Sequence, residues 1–134
     1  MSNAKPHIRI IDQEEELLEK YSWIQQVPLI NIPHRELLIK CLQGRAVMIV
    51  GTLDDQDLGV AIIERTKDTL SVLAGYCVNN LKLFIKEFYS WANRLGIKRI
   101  TMMSAHPPEA FARLTGANLL TAIYEKDLTK WEQE

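Results

Sequence analysis

Cysteine is nearly absent. The chain has two in 134 residues, Cys41 and Cys77, far apart and without metal-ligand spacing. They give neither a disulfide framework nor a zinc site. Free thiols in a reducing compartment are expected, which points to the cytoplasm. No apolar run is long enough to span a bilayer, so no membrane segment is expected. Residues 1–6 contain no apolar core of a secretory signal. Charge of one sign is also lacking. The net charge is -1, which gives no bulk attraction to nucleic acid or anionic lipid and disfavours nucleic acid as a partner. Repeats and low-complexity linkers are missing too. At this length one domain covering residues 1–134 is expected, with a core of ordinary size.

What is present is organised around residues 69–96. Thr69–Cys77 is short, apolar and free of proline, and reads as a buried strand. Asn79 or Asn80 can cap the helix that follows. Leu81, Phe84, Ile85, Phe88, Trp91, Ala92 and Leu95 recur at helical spacing, and Gly96 ends the run. Such a strand–turn–helix aims backbone N–H groups and the helix dipole at one mouth of a sheet, where anions can bind.

The rest of the chain falls around it. Residues 7–11 read as a first strand. Asp12 with Glu15 makes a capping-box pattern for a helix carrying Leu17, Tyr21 and Ile24 on its apolar side. Prolines 28 and 33 break residues 27–33 into a loop. A second helix is expected over residues 33–42, with Leu37, Leu38, Cys41 and Leu42 apolar and Gly44 at its end. His34, in its first turn, is a possible base or an ordinary surface residue without a partner. Residues 46–51 read as a strand buried on both faces, and residues 58–64 as the next. Asp54, Asp55, Gln56 and Asp57 form the turn between them. That turn lacks the glycine and closing glutamate of a calcium loop, so no metal site is expected. Residues 65–68 turn again, giving an antiparallel meander. Residues 98–104 form a further strand. The intervening helix makes a strand–helix–strand crossover, so this strand should run parallel to Thr69–Cys77. Pro108 can start a helix ending at Gly116, and residues 119–128 read as one last strand. The last six residues are expected to fray.

This order resembles the GNAT acyltransferase superfamily, whose members move an acyl group from acyl-CoA to an amine. The resemblance rests on residues 54–63, residues 71–96, the segment Phe111-Ala-Arg-Leu-Thr-Gly-Ala117, and the terminal Tyr124-Glu-Lys-Asp-Leu128. It implies an α+β fold. The sheet should be mixed and mainly antiparallel, with one parallel pair around the central helix. The family joins its fourth strand to the next helix with a Gln or Arg and two glycines, whose amides hold the CoA pyrophosphate. Here the join is Gly75-Tyr-Cys-Val-Asn-Asn80. The resemblance implies that a CoA ligand would meet Val78, Asn79, Asn80, Lys82 and Lys86. The position of the usual general-acid tyrosine is Ala112. No carboxylate lies on the fourth strand, and the terminal segment looks short for two full strands.

Tyr76, His106 and Glu64 are the remaining candidates for proton transfer, His106 because it follows a strand of the parallel pair. Each has an ordinary reading: packing for Tyr76, an exposed loop for His106, the solvent end of a strand for Glu64. Cys77 reads as an acyl-accepting thiol or a small buried residue. Lys82 and Lys86, one turn apart, read as an anion site or as a solvated face paired with Glu87. Small GNAT-like proteins with eroded CoA loops occur in tailed bacteriophages, some as virion components, and this chain is similar in size and in these losses. Two functions follow. The first is a non-catalytic protein that binds a protein partner, in the cytoplasm or a virion. The second is an N-acetyltransferase using acetyl-CoA and an amine acceptor through an atypical pyrophosphate loop.

Overall fold

A computed structural model describes residues 5–29, 32–103, 118–119 and 123–130. Strand β1 (His7–Ile10) is followed by helices α1 (Glu14–Ile24) and α2 (His34–Leu42). The meander is β2 (Val47–Leu53), β3 (Gln56–Thr66) and β4 (Thr69–Cys77). Helix α3 (Leu81–Arg94) crosses to β5 (Arg99–Met103). Strands β6 (Asn118–Leu119) and β7 (Ile123–Asp127) follow, then a short 3-10 turn, Leu128–Lys130. Among the described residues these strands form one sheet in the order β1-β2-β3-β4-β5-β7-β6. Every neighbouring pair is antiparallel except β4–β5, which is parallel as the crossover requires.

Side chains alternate between two cores, one on each face of the sheet. Ile49, Ala61, Ile63 and Leu70 join Phe84, Phe88, Tyr89 and Ala92 beneath α3. Met48, Val50, Val60, Ile62 and Ala74 join Leu17, Tyr21, Ile24 and Leu37 beneath α1 and α2. Helix α3 is seated by a specific device. Gly51 and Gly59 are paired across β2 and β3, and the Phe84 ring lies flat on both. A Cβ at Gly59 would stand 2.7 Å from Phe84 ring carbons and 2.8 Å from the Tyr76 carbonyl oxygen. At Gly51 it would stand 2.7 Å from the ring.

Two bulges interrupt the alternation. Gly51 pairs with Gly59 but Thr52 pairs with Asp57, so Leu58 is the extra residue in β3. Ile62 pairs with Ala74 but Ile63 pairs with Val72, so Leu73 is the extra residue in β4. A bulge flips the parity of everything beyond it. Leu58 and Gly59 therefore both meet the α3 side, and Asp57 turns to the α1 side, where Lys20 bonds it at 2.7 Å. Leu73 and Ala74 likewise both meet the α1–α2 core.

Several sequence expectations need correction. The N-cap of α1 is Gln13, which makes no side-chain capping bond, so the Asp12–Glu15 box is not formed. Three acidic residues in the first turn still favour that end through the dipole. The β2–β3 turn holds only Asp54 and Asp55, at φ 51° and 65°. Both signs are positive, as a type I′ turn needs, so β3 starts at Gln56 rather than at residue 58. The next turn is likewise shorter than residues 65–68, because β3 continues to Thr66 and β4 begins at Thr69. Trp91 is only half-buried, stacked near Phe88 (ring centroids 6.2 Å apart), and Leu95 is exposed. Tyr89 is buried instead. Leu42 is exposed, so the buried side of α2 is carried by Leu37. Residues 119–128 are not one strand: β6 and β7 form an antiparallel pair. Leu128, expected as the last residue of that strand, opens the 3-10 turn instead and is buried. The helix expected over residues 108–116 lies outside the described residues.

Candidate functional site

The parallel pairing of β4 with β5 runs from Thr69–Arg99 to Val72–Met102 and stops there. The next residue of β4 is the bulged Leu73. From Leu73 to Cys77, among the described residues, β4 is paired only with β3. Gly75, in the middle of this stretch, is solvent-exposed. Among the described residues, the C-terminal half of β4 thus has no pair on its β5 side, and the β4–α3 turn follows it.

That turn is held from within. The carbonyl of the bulged Leu58 accepts the N–H of Val78 at 2.8 Å and the N–H of Asn79 at 3.0 Å. The Cys77 thiol approaches the same oxygen at 3.6 Å. Asn80 is the N-cap of α3. It takes a left-handed conformation (φ 56°, ψ 72°), which Asn tolerates better than most residues, and its side-chain oxygen accepts the Leu83 N–H at 3.3 Å. Three amides at the head of α3 therefore already donate inside the chain. Val78 is 43% exposed, and Asn79 and Asn80 are exposed as well.

Lys82 and Lys86 are exposed on α3, whose first turn carries no acid. The pairing with Glu87 suggested by sequence is not what forms, since Glu87 faces Arg94 at 3.5 Å. Burial raises the Cys77 thiol above its ordinary range, against a smaller lowering by the Asn79 backbone N–H. A thiol so placed is protonated at neutral pH and a poor nucleophile.

Of the proton-transfer candidates, Tyr76 and Glu64 are not brought together. Tyr76 sits on the α1 face, with its ring 6.5 Å from and nearly parallel to that of Trp23. Glu64 lies at the other end of the sheet, opposite Ser71, and bonds Lys40 of α2 at 2.6 Å. The antiparallel meander already implied this, because the end of β3 must lie beside the start of β4. His106, Ala112 and the other residues around them lie outside the described residues.

Sequence reasoning missed the connection between α1 and α2. The Tyr21 hydroxyl lies 2.9 Å from the His34 carbonyl oxygen and 3.0 Å from His34 Nδ1. His34 Nε2 is 2.8 Å from the Val27 carbonyl, which can only accept, so Nε2 carries the proton. His34 is thus a partnered residue tying the two helices. Burial pushes the Tyr21 hydroxyl up to about 12, helped by the charge of a Cys41 thiolate, so it stays protonated. Beside it runs a chain of alternating charge. Arg9 pairs with Glu16, and Lys20 reaches Glu16 at 3.7 Å while its ammonium lies 5.3 Å from the Trp23 ring centre.

Among the described residues no group of three or more His, Cys, Asp or Glu side chains could hold a metal ion. No helix among them is long and apolar enough to cross a membrane. No protein-family model matches the sequence, and no curated protein matches it.

Solved structures do match. Tetrahymena GCN5 superposes with a TM-score of 0.70 at 11% identity, over 96% of this chain and 99% of that one. The ribosomal-protein-S18-alanine N-acetyltransferase of Escherichia coli gives 0.69 at 11%, over 96% and 97%. The fold is the GNAT fold. A Bacillus subtilis acetyltransferase solved in complex with CoA gives 0.64 at 16%, over 87% of this chain and 79% of that one. Similarity at these identities establishes the GNAT-like architecture of this chain, with β4 and β5 as its parallel pair.

Proposed function

We propose that this GNAT-like domain works by binding a protein partner rather than by transferring an acyl group. One observation carries the reading: the amides of Val78, Asn79 and Leu83 are consumed by Leu58 and Asn80. A pyrophosphate site needs several such amides converging on the anion with no side chain between. The residues present do not fit that group. Ala112 cannot donate a proton, and Glu64 is held by Lys40 far from the turn. The partner would be met in the cytoplasm, or in a virion if the resemblance to small bacteriophage proteins extends to origin.

The test is calorimetric titration of the full chain with acetyl-CoA. We expect a Kd weaker than about 1 mM, less than about 4 kcal/mol of binding. Micromolar affinity would overturn the proposal. A second reading would then lead, that of an N-acetyltransferase acting on an amine. It is favoured by the GNAT-like fold with its parallel β4–β5 pair and by exposed Lys82 and Lys86 at the head of α3. In that case Lys82→Ala or Lys86→Ala should weaken the binding measured.

A further inference from the structure

At the end of the sheet away from the β4–α3 turn, cations gather in one corner. Arg65 and Lys67 lie at the β3–β4 turn, Arg94 at the end of α3, and Lys98 and Arg99 at the start of β5; all are exposed, as is Asp68 among them. The backbone holds them together. The Asp68 carbonyl accepts the N–H groups of Lys98 and Arg99 at 2.7 and 3.2 Å. Arg65 Nε donates to the Lys67 carbonyl at 2.9 Å, and its Nη2 to the Leu95 carbonyl at 3.4 Å. Leu95 itself is 44% exposed. Cations near the end of α3 suit its dipole. The turn gains nothing from Lys67, which holds φ 53° where glycine fits without strain. Residues 126–134 carry two lysines and three acids, too little negative charge to cancel five cations.

The other corner of the same end is acidic and set back. Strand β1 ends where the Ile11 N–H bonds the Met48 carbonyl, and β2 starts at Val47, opposite Ile63. Strand β3 runs on to Thr66 before turning into β4, so the hairpin projects about 10 Å beyond the start of β2. Beside the shorter strands lies a cavity of about 220 Å³. Asp12 and Glu14 line it together with Ile11, Leu17, Cys41 and the exposed Leu42. Asp12, Glu14 and Glu15 are exposed.

We propose that two copies of this chain pack end to end about a two-fold axis, the projecting basic hairpin of each seated in the recessed acidic corner of the other. Both corners belong to one end of one sheet, so a single two-fold operation brings each onto its opposite, and the contact closes as a dimer. Contacts between identical corners would set like charges together. The exposed Leu95 and Leu42 supply apolar surface within the charged rims. The acidic corner disfavours nucleic acid as the occupant, because it would repel a phosphate backbone drawn to the basic one. This inference concerns the end of the sheet opposite the β4–α3 turn and does not rest on the binding reading above.

The experiment is sedimentation equilibrium of the full chain. We expect a species of twice the 15.4 kDa chain mass at low ionic strength, giving way to monomer as salt is raised. Lys67→Glu/Lys98→Glu/Arg99→Glu makes both corners acidic, and Asp12→Lys/Glu14→Lys makes both basic on balance. Each variant should dimerise at least about tenfold more weakly than the wild type. Mixed in equal amounts, the two should form a heterodimer, because each corner again meets its opposite. All five positions are exposed, so both variants should fold, as circular dichroism will check. If Asp12→Lys/Glu14→Lys does not fold, Asp12→Asn/Glu14→Gln takes its place and should weaken the dimer by itself. A wild type that is monomeric at every salt concentration, folded variants that dimerise as it does, or a mixture of the charge-reversed pair that stays monomeric would overturn the inference. Acetyl-CoA titration reads the β4–α3 turn separately, so the two proposals fail independently.

Discussion

The two faces of the sheet are held by different physics. On the α3 face, the Phe84 ring fits against a cross-strand glycine pair, and the helix is fixed by shape. On the α1–α2 face, the helices also carry a buried apolar stripe, but they are tied by polar groups: Arg9–Glu16–Lys20–Asp57, Lys40–Glu64 and Tyr21–His34. Shape complementarity in a close-packed interior fails steeply when an atom is added or removed. Partly exposed charge ties fail gently and respond to pH and salt. One sheet therefore has a face sensitive to volume and a face sensitive to solution conditions.

The largest effect should come from removing the ring. Phe84 is 7% exposed, and Phe84→Ala should destabilise by about 3–5 kcal/mol in urea unfolding. Gly59→Ala should follow at about 1–3 kcal/mol, the range for overpacking. Its new methyl meets the Tyr76 carbonyl as well as the ring, and the backbone cannot swing aside. In the Phe84→Ala background the ring clash is gone, so the Gly59→Ala effect should shrink; strict additivity would mean that the ring and the glycine pair are not coupled. Trp91→Ala should lie below Phe84→Ala, at about 1–3 kcal/mol, because the indole is half-buried.

On the other face the effects are smaller and conditional. The hydrogen bond from Arg9, ahead of its charge and that of Lys20, holds the Glu16 carboxyl below its usual value of 4.5, against desolvation. A depressed folded-state value means that this contribution is present above the unfolded value and is lost as pH falls through the folded one. Glu16→Gln should therefore destabilise by less than about 1 kcal/mol near pH 7. The gap to the wild type should close as urea titrations are repeated at successively lower pH below 4.5. A gap that widened on acidification would contradict the assignment. The smallest signal concerns Cys41, which burial pushes up to about 11. Its alkylation by iodoacetamide at pH 8 should be much slower than that of a free thiol.

The fold was legible because its strong signals are local and agree with one another. Asp-rich and charged turns separate three apolar segments, and the long amphipathic run over residues 81–95 demands a crossover, which fixes β4 and β5 as parallel. The bulges at Leu58 and Leu73 were not legible. A one-residue excess between paired strands leaves no mark in either strand's own composition, since only the pairing defines it. The internal bonding of the β4–α3 turn follows from one of those bulges and was hidden with it. The sequence did show that the turn lacked glycines. It could not show that a carbonyl in β3 would take the amides of Val78 and Asn79. His34 was misread for a related reason. Its partners, Tyr21 and Val27, come together only when the two helices are docked.

The bulge at Leu58 also separates two traits that a mutational history can then vary independently. Without that residue Asp57 would directly precede Gly59 and, by strand alternation, still lie on the α1 face opposite Thr52. Lys20 would keep its carboxylate partner. The N–H groups of residues 78 and 79 would lose the Leu58 carbonyl that they share. One codon thus controls the availability of the amides at the head of α3 and leaves the anchoring of α1 in place. Lineages losing that residue would change the first property while the second stayed fixed.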